Sequence, residues 1–165
     1  MSKAFPSAAF GTSASRIRKI GIRTVQILCA VHLFHRHVAE IRPTGGSSMM
    51  PTFSATGDFV LVEALSLRFP ILRPLSRGDI VTFVSPLDAK VSVCKRVVGL
   101  QGDKVYLDPN VTEGDDWIKV PKGHVWVLGD NLESSRDSRM YGPVSLALLR
   151  GRVAARVSLH WLFVC

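Results

Sequence analysis

The chain has no acidic residue before Glu40, although six of its 21 Lys/Arg residues lie in that stretch. Residues 41–165 hold fifteen bases against twelve acids, so most of the formal net charge of +8 sits at one end. A one-ended basic excess suits a targeting segment or a membrane flank better than a nucleic-acid-reading face. No helix-turn-helix, zinc-finger or RNP-like pattern accompanies it. Cysteine is scarce: Cys29, Cys94 and Cys165 are odd in number, far apart and without CxxC spacing. That argues against a disulfide framework and a structural zinc site. His32, His35 and His37 follow an apolar run without an acid beside them, and read as a polar flank rather than a metal site. Repeats of fixed length and low-complexity tracts are also missing.

Three regions remain. Residues 1–15 are small, Ser/Ala-rich and acid-free, a composition expected of a disordered or import segment. Residues 16–40 are free of proline and compatible with a helix, with Ile20–Phe34 as the most apolar part. Fifteen helical residues rise about 22 Å, short of the roughly 30 Å hydrocarbon core. Arg23 can snorkel toward Arg16, Arg18 and Lys19, and with that extension the segment is expected to be a single transmembrane anchor. An interfacial or a core helix is the alternative. The basic excess would leave its N-terminus on the cytoplasmic or matrix-like side and the following domain on the other.

From residue 41 to 165 the texture changes to short apolar stretches punctuated by Gly, Pro and Asp. Strands are expected at 59–63, 79–84, 91–98, 104–107, 117–120, 124–128 and 152–159, with a short helix at Pro143–Leu149. This spacing predicts a mainly β domain, a sandwich or barrel-like fold. Asn110-Val111-Thr112 is a glycosylation sequon only in a glycosylating compartment.

Within the strand 91–98 one residue breaks the apolar texture. Alternation places Val91, Val93, Lys95 and Val97 on one face, with Arg96 pointing the other way. A lysine among valines either pairs with a carboxylate or is pushed toward its neutral form. In the neutral form it can serve as general base to a serine. Ser92-Val93-Cys94-Lys95 also matches S-x-x-K, but an offset of three on a strand sends the two side chains to opposite faces.

Two further segments complete the pattern. Gly45-Gly46-Ser47-Ser48-Met49-Met50-Pro51 reads on composition as a Gly/Ser linker, or as a close-approach loop carrying a nucleophile and two exposed methionines. Residues 129–139, from Gly129 to Arg139, pack hydroxyls and opposite charges into a loop longer than a hairpin needs. Alone it is a solvated loop; beside Lys95 it could supply a hydroxyl and an Asp–Arg pair.

Together, Ser48-Met49-Met50-Pro51, Lys95 through Asp103, Gly129-Asp130-Asn131 through Arg139 and Gly142-Pro143-Val144 resemble the type I signal peptidase family of membrane-anchored Ser–Lys proteases. The pieces occur in the family's order, over roughly residues 20–160. The small size and Cys94 before Lys95 look most like the branch of the mitochondrial inner membrane; the ER-type branch carries histidine where this chain has Lys95.

The resemblance implies a signal-peptidase-like β domain after one transmembrane helix. It implies Ser48 as nucleophile and Lys95 as general base, with Ser135 orienting Lys95 and Asp137 and Arg139 as a supporting ion pair. Ser48 N–H would donate to the oxyanion. Gly46 stands where some bacterial members place a second hydroxyl donor, and Met49 and Met50 would contact substrate. No metal or organic cofactor is required. The implied activity is removal of sorting presequences by a heteromer with a second peptidase subunit, in the inner membrane with the domain facing the intermembrane space. A non-catalytic tethered subunit, a self-cleaving Ser–Lys regulator or a bacterial-type signal peptidase of another membrane are the rival readings.

Overall fold

The computed structural model describes residues 11–56, 58–107 and 116–158, without the side chains of 11–14, 35–37 and 158. The segment 1–10, the Asn110 sequon and the apolar C-terminal end lie outside these residues. The chain divides into two compact units, residues 1–37 and 38–165.

The described residues of the first unit form one helix, α1, Gly11–His37. Its large apolar side chains, from Ile17 to Phe34, are exposed. The helix is present, but among the described residues no helix is long and apolar enough to cross a membrane. Length is not the limit, since 27 helical residues rise about 40 Å. Composition is: Arg16, Arg18, Lys19 and Arg23 charge the first half, and the uncharged stretch Thr24–Phe34 rises only about 16 Å.

The second unit is mainly β, as expected. Its strands are β1 (Ala39–Thr44), β2 (Asp58–Glu63), β3 (Ile80–Val84), β4 (Ser92–Gly99), β5 (Lys104–Tyr106), β6 (Trp117–Lys119), β7 (His124–Leu128), β8 (Val144–Ser145) and β9 (Leu149–Ser158). Two one-turn helices, α2 (Leu65–Arg68) and α3 (Ser138–Tyr141), lie between them. Seven strands form one sheet in the order β1-β2-β9-β3-β4-β7-β8, and β5 pairs with β6 apart from it. Every pairing is antiparallel. β9 joins the halves: Arg152 is registered with both Glu63 and Val81.

The core follows from strand alternation. Val81, Phe83, Val97, Val125, Val127 and Val144 form the central cluster. Met49, Phe53, Val60 and Val62 form a second, and Val105, Val120, Trp126 and Leu128 a third beneath the small sheet.

Two local expectations fail. β1 had no strand signal, because its apolar content is low and Pro43 interrupts it; its full pairing with β2 makes it a strand. Pro143–Leu149 is not a helix. Val144 is drawn into the core and pairs with Val125, leaving one 3-10 turn at Leu146–Leu148, where Ser145 Oγ accepts from Ala147 N–H at 3.3 Å.

Candidate active site

Ser48 lies on a single 3-10 turn, Ser47–Met49, just after β1. Gly46 enters that turn at φ 100°, in the region that glycine alone occupies without strain. The Gly46 N–H reaches Ala55 C=O at 2.9 Å, and the Phe53 N–H reaches Met49 C=O at 2.9 Å, folding the loop back on itself. Met49 pins it from below. It is buried with Phe53, Val60 and Val62, so the expectation that both methionines are exposed holds for Met50 alone. An unbranched, adaptable side chain fills irregular gaps in a core.

Lys95 occupies the middle of β4, paired with Val81, and is only 3% exposed. Its Nζ stands 2.5 Å from Ser48 Oγ. Among the described residues no carboxylate lies within ion-pairing distance of that ammonium. Burial lowers the Lys95 pKa below its ordinary 10.5, against the weaker opposing fields of Asp137, Cys94 and Asp130. The same burial pushes the neighbouring Cys94 thiol up to about 12. The site therefore favours a neutral amine beside a hydroxyl.

The loop after β7 backs the pair. Asp137, fully buried, accepts from Gly129 N–H at 3.1 Å and from Arg139 Nε at 2.9 Å and Nη2 at 3.0 Å. Arg139 Nη2 also donates to Leu132 C=O at 2.6 Å. Burial alone would raise the Asp137 pKa, but the Arg139 guanidinium, two N–H donors and the Ser135 hydroxyl hold it below the usual value. Ser135 departs from expectation. Its hydroxyl is buried and, among the described residues, makes no hydrogen bond to Lys95; the Asp137 carboxylate is the group it acts on. It lies toward the Asp137 carboxylate and packs on Gly129, a position where any side chain would collide with it and with Ser48 C=O.

One element of the site escaped the sequence reading. Arg96, on the face of β4 opposite Lys95, holds Asp130 through Nε–Oδ1 at 2.8 Å and Nη2–Oδ2 at 2.6 Å. Thr52, from the Ser48 loop, donates to the same carboxylate at 2.5 Å. The Asn131 N–H completes the contact on Ser48 C=O at 3.0 Å. Three segments distant in sequence are thus locked around the Ser48–Lys95 pair. The available signal was an arginine in a strand that also carries a buried lysine, together with an aspartate in a turn.

A cleft of about 680 Å³ opens at Ser48, lined on one side by β1, including Ile41 and Thr44, and on the other by Val91–Cys94. Among the described residues β1 has a strand neighbour on one side only, β2. Its other edge offers backbone donors and acceptors to an extended peptide. Ser92, the serine of S-x-x-K, is exposed and donates to Phe83 C=O at 3.4 Å, away from Lys95.

A buried amine on a serine hydroxyl at the end of an open-edged cleft points to peptide-bond chemistry. The family described as "Signal peptidase, peptidase S26" matches residues 17–115 and 107–159. The chain belongs to the signal peptidase family. It is 44% identical over 146 residues to a mitochondrial inner membrane protease subunit 1 of Schizosaccharomyces pombe, covering 87% of this chain and 90% of that protein. The human protein of the same name is 40% identical over 151 residues, covering 89% and 86%. A mitochondrial inner membrane protease subunit 2 of Saccharomyces cerevisiae is 33% identical over 136 residues, covering 81% and 74%. A signal peptidase I crystal structure from Enterococcus faecalis is 28% identical at a TM-score of 0.38, covering 48% of this chain and 97% of that one.

Proposed function

We propose that this signal peptidase is a serine endopeptidase with a Ser48–Lys95 dyad that removes presequences at the mitochondrial inner membrane, its β domain facing the intermembrane space. The observation that carries the reading is the 2.5 Å approach of Lys95 Nζ to Ser48 Oγ in a buried setting without a paired carboxylate. The relatives' names support the location and a heteromer with a second peptidase subunit. The exposed apolar side chains and basic first half of α1 suit attachment to a membrane.

In this reading an extended substrate lies along β1 with its scissile carbonyl at Ser48. Neutral Lys95 takes the Ser48 proton as Oγ attacks the carbonyl carbon, and the Ser48 N–H donates to the oxyanion. The tetrahedral intermediate collapses, the lysinium protonates the departing amine, and the acyl group stays on Oγ. Water gives its proton to Lys95, attacks the ester, and the Ser48 hydroxyl is regenerated. Gly46 brings no hydroxyl to the oxyanion. Asp137 and Arg139 keep the 129–139 loop seated, and Met50 and the cleft wall meet substrate side chains. No step calls for a metal or organic cofactor.

The test is cleavage of presequence-bearing proteins by the membrane-attached chain with its partner subunit, wild type against Ser48→Ala, with the new N-termini sequenced. A defined cut that disappears in Ser48→Ala is expected. An equal rate in Ser48→Ala would overturn the dyad.

A further inference from the structure

The loop that carries Ser48 is also held from a second side. Asp58 opens β2 and is 1% exposed. Its carboxylate accepts the Ser54 N–H at 2.7 Å, and its carbonyl accepts the Thr44 hydroxyl at 3.1 Å. Both contacts fasten the connection between β1 and β2. A buried carboxylate calls for a cation as well, and Arg156 of β9 supplies it. Strand register sets Arg156 opposite Val60, hence diagonal to Asp58 on the same face of the sheet. Arg156 Nε stands 3.1 Å from Asp58 Oδ2.

The other arm of that guanidinium makes a contact the ion pair does not require. Arg156 Nη1 donates to Thr52 C=O at 2.6 Å, across 104 positions of sequence. Thr52 is also the residue whose hydroxyl meets Asp130 at 2.5 Å and Arg96 Nη2 at 3.3 Å. Two guanidinium–carboxylate pairs, Arg96–Asp130 and Arg156–Asp58, therefore close on one residue. The first takes its side chain and the second its backbone. Next to Thr52, the Phe53 N–H is bonded to the C=O of Met49, the neighbour of Ser48. A displacement of Thr52 is thus passed to the nucleophile across a single turn. Among the described residues, the lining of the cleft includes neither Arg156 nor Asp58. Their effect should fall on the reacting groups and not on substrate affinity.

We propose that Arg156, held by Asp58, is a positioning residue for peptide-bond cleavage. It fixes the Thr52 end of the loop and thereby the approach of Ser48 Oγ to Lys95 Nζ. The Ser48 N–H rides on the same turn, so the oxyanion donor moves with the hydroxyl when this clamp is released. The inference rests on the reading of Ser48 as the nucleophile.

The test uses the membrane-attached chain with its partner subunit and a peptide whose cleavage is lost in Ser48→Ala. Arg156→Met should lower kcat at least about tenfold at unchanged KM, because displacement of a reacting group by a fraction of an ångström is enough. Acylation by a serine-directed inhibitor should slow in parallel. Arg156→Lys keeps a cation for Asp58 but not a fork with one nitrogen for each acceptor. It should hold Tm near the wild-type value and still lose at least about threefold in kcat, which a merely structural role does not produce. It also carries the test should the methionine variant not fold. Thr52→Val frees the same loop from the other pair, so Arg156→Lys combined with Thr52→Val should be about as slow as the slower single variant. Wild-type kcat in the folded Arg156 variants overturns the clamp. So do losses that multiply in the double variant, or a raised KM at normal kcat. Each of these leaves the dyad standing, whereas undiminished cleavage of every peptide by Ser48→Ala overturns the dyad and the clamp with it.

Discussion

Arg96 and Lys95 are adjacent in the chain, and their cations work on opposite faces of one strand. Lys95 Nζ reaches Ser48 Oγ, while the Arg96 guanidinium grips Asp130 with two parallel bonds of 2.8 and 2.6 Å. Because Asp130 also accepts from Thr52, the strand that presents the amine is tied to the loop that presents the hydroxyl. Hydroxyl and amine are thereby set at bonding distance before any substrate arrives.

Replacing Arg96 by lysine should loosen that tie, because a point charge cannot reproduce the planar fork. Stability should fall by about 1.5–3 kcal/mol, the range for hydrogen bonds to charged groups. Turnover should drop by at least tenfold as the Ser48 loop gains freedom. Denaturant titration and steady-state kinetics on one cleavable peptide check both. Unchanged turnover would confine Arg96 to fold stability.

Lys95→Met separates catalysis from stability. Cleavage should be lost, since no base remains. Burial lowers the Lys95 pKa in the folded state from 10.5, so the unfolded chain binds the extra proton more readily. Stability therefore rises with pH between the folded-state value and 10.5, and the penalty is largest below that window. The methionine variant should match or exceed wild type in Tm at neutral pH, with the gap closing toward pH 10.5. Wild-type kcat/KM should climb as pH passes upward through the lowered Lys95 pKa. A Tm well below wild type at neutral pH would point to a charged, paired lysine.

Gly129→Ala tests how tightly the loop backs the nucleophile. A Cβ there would stand 2.5 Å from Ser48 C=O and collide with the Ser135 hydroxyl. Overpacking of this kind costs roughly 1–3 kcal/mol. The larger effect should be on rate, about a hundredfold, because a 1 Å displacement of the reacting group is enough. Acylation by a serine-directed inhibitor should slow in parallel; normal labelling with normal cleavage would show that the loop yields freely.

Asp137→Asn should destabilise by about 3 kcal/mol, at the lower end for breaking a buried pair because Arg139 is partly exposed. The Asp137 pKa is lowered below 3.8 in the folded state. Its contribution is therefore present above 3.8 and lost as pH falls through the folded value. The difference between wild type and variant should shrink in acid; a constant difference would mean that the charge contributes little. Thermal unfolding at a series of pH values reads it.

Much of the domain is legible from local pattern. Seven strands announce themselves by alternation and turn residues, and the Lys95 face follows from counting along Val91–Val98. Ser48 is different: among Gly45, Gly46 and Ser47 it looks like linker until its order relative to Lys95 and Gly129–Arg139 is compared with a family. The opposite charges of the 129–139 loop announced an Asp–Arg pair, but its members, Asp137 and Arg139, were named by the family resemblance. Arg96–Asp130–Thr52 was not legible, because its members are separated by 34 and 78 positions and each has an ordinary surface reading. β1 and Pro143–Leu149 were misread for one reason: neighbouring strands decide them, β2 by drawing Ala39–Thr44 into the sheet and β7 by capturing Val144.

The residues themselves determined that a lysine would be buried on one face of a strand and that a basic segment precedes a β domain. These depend on side-chain period and composition, which are local. Tertiary structure decided that the buried lysine meets a serine rather than a carboxylate, that Met49 anchors instead of covering, and that the Ser135 hydroxyl turns toward Asp137. Each of those outcomes is set by the curl of the sheet, which brings Ser48, β4 and the loop after β7 into one place. Pairing across such distances depends on the register of nine strands together, and no single segment carries that information.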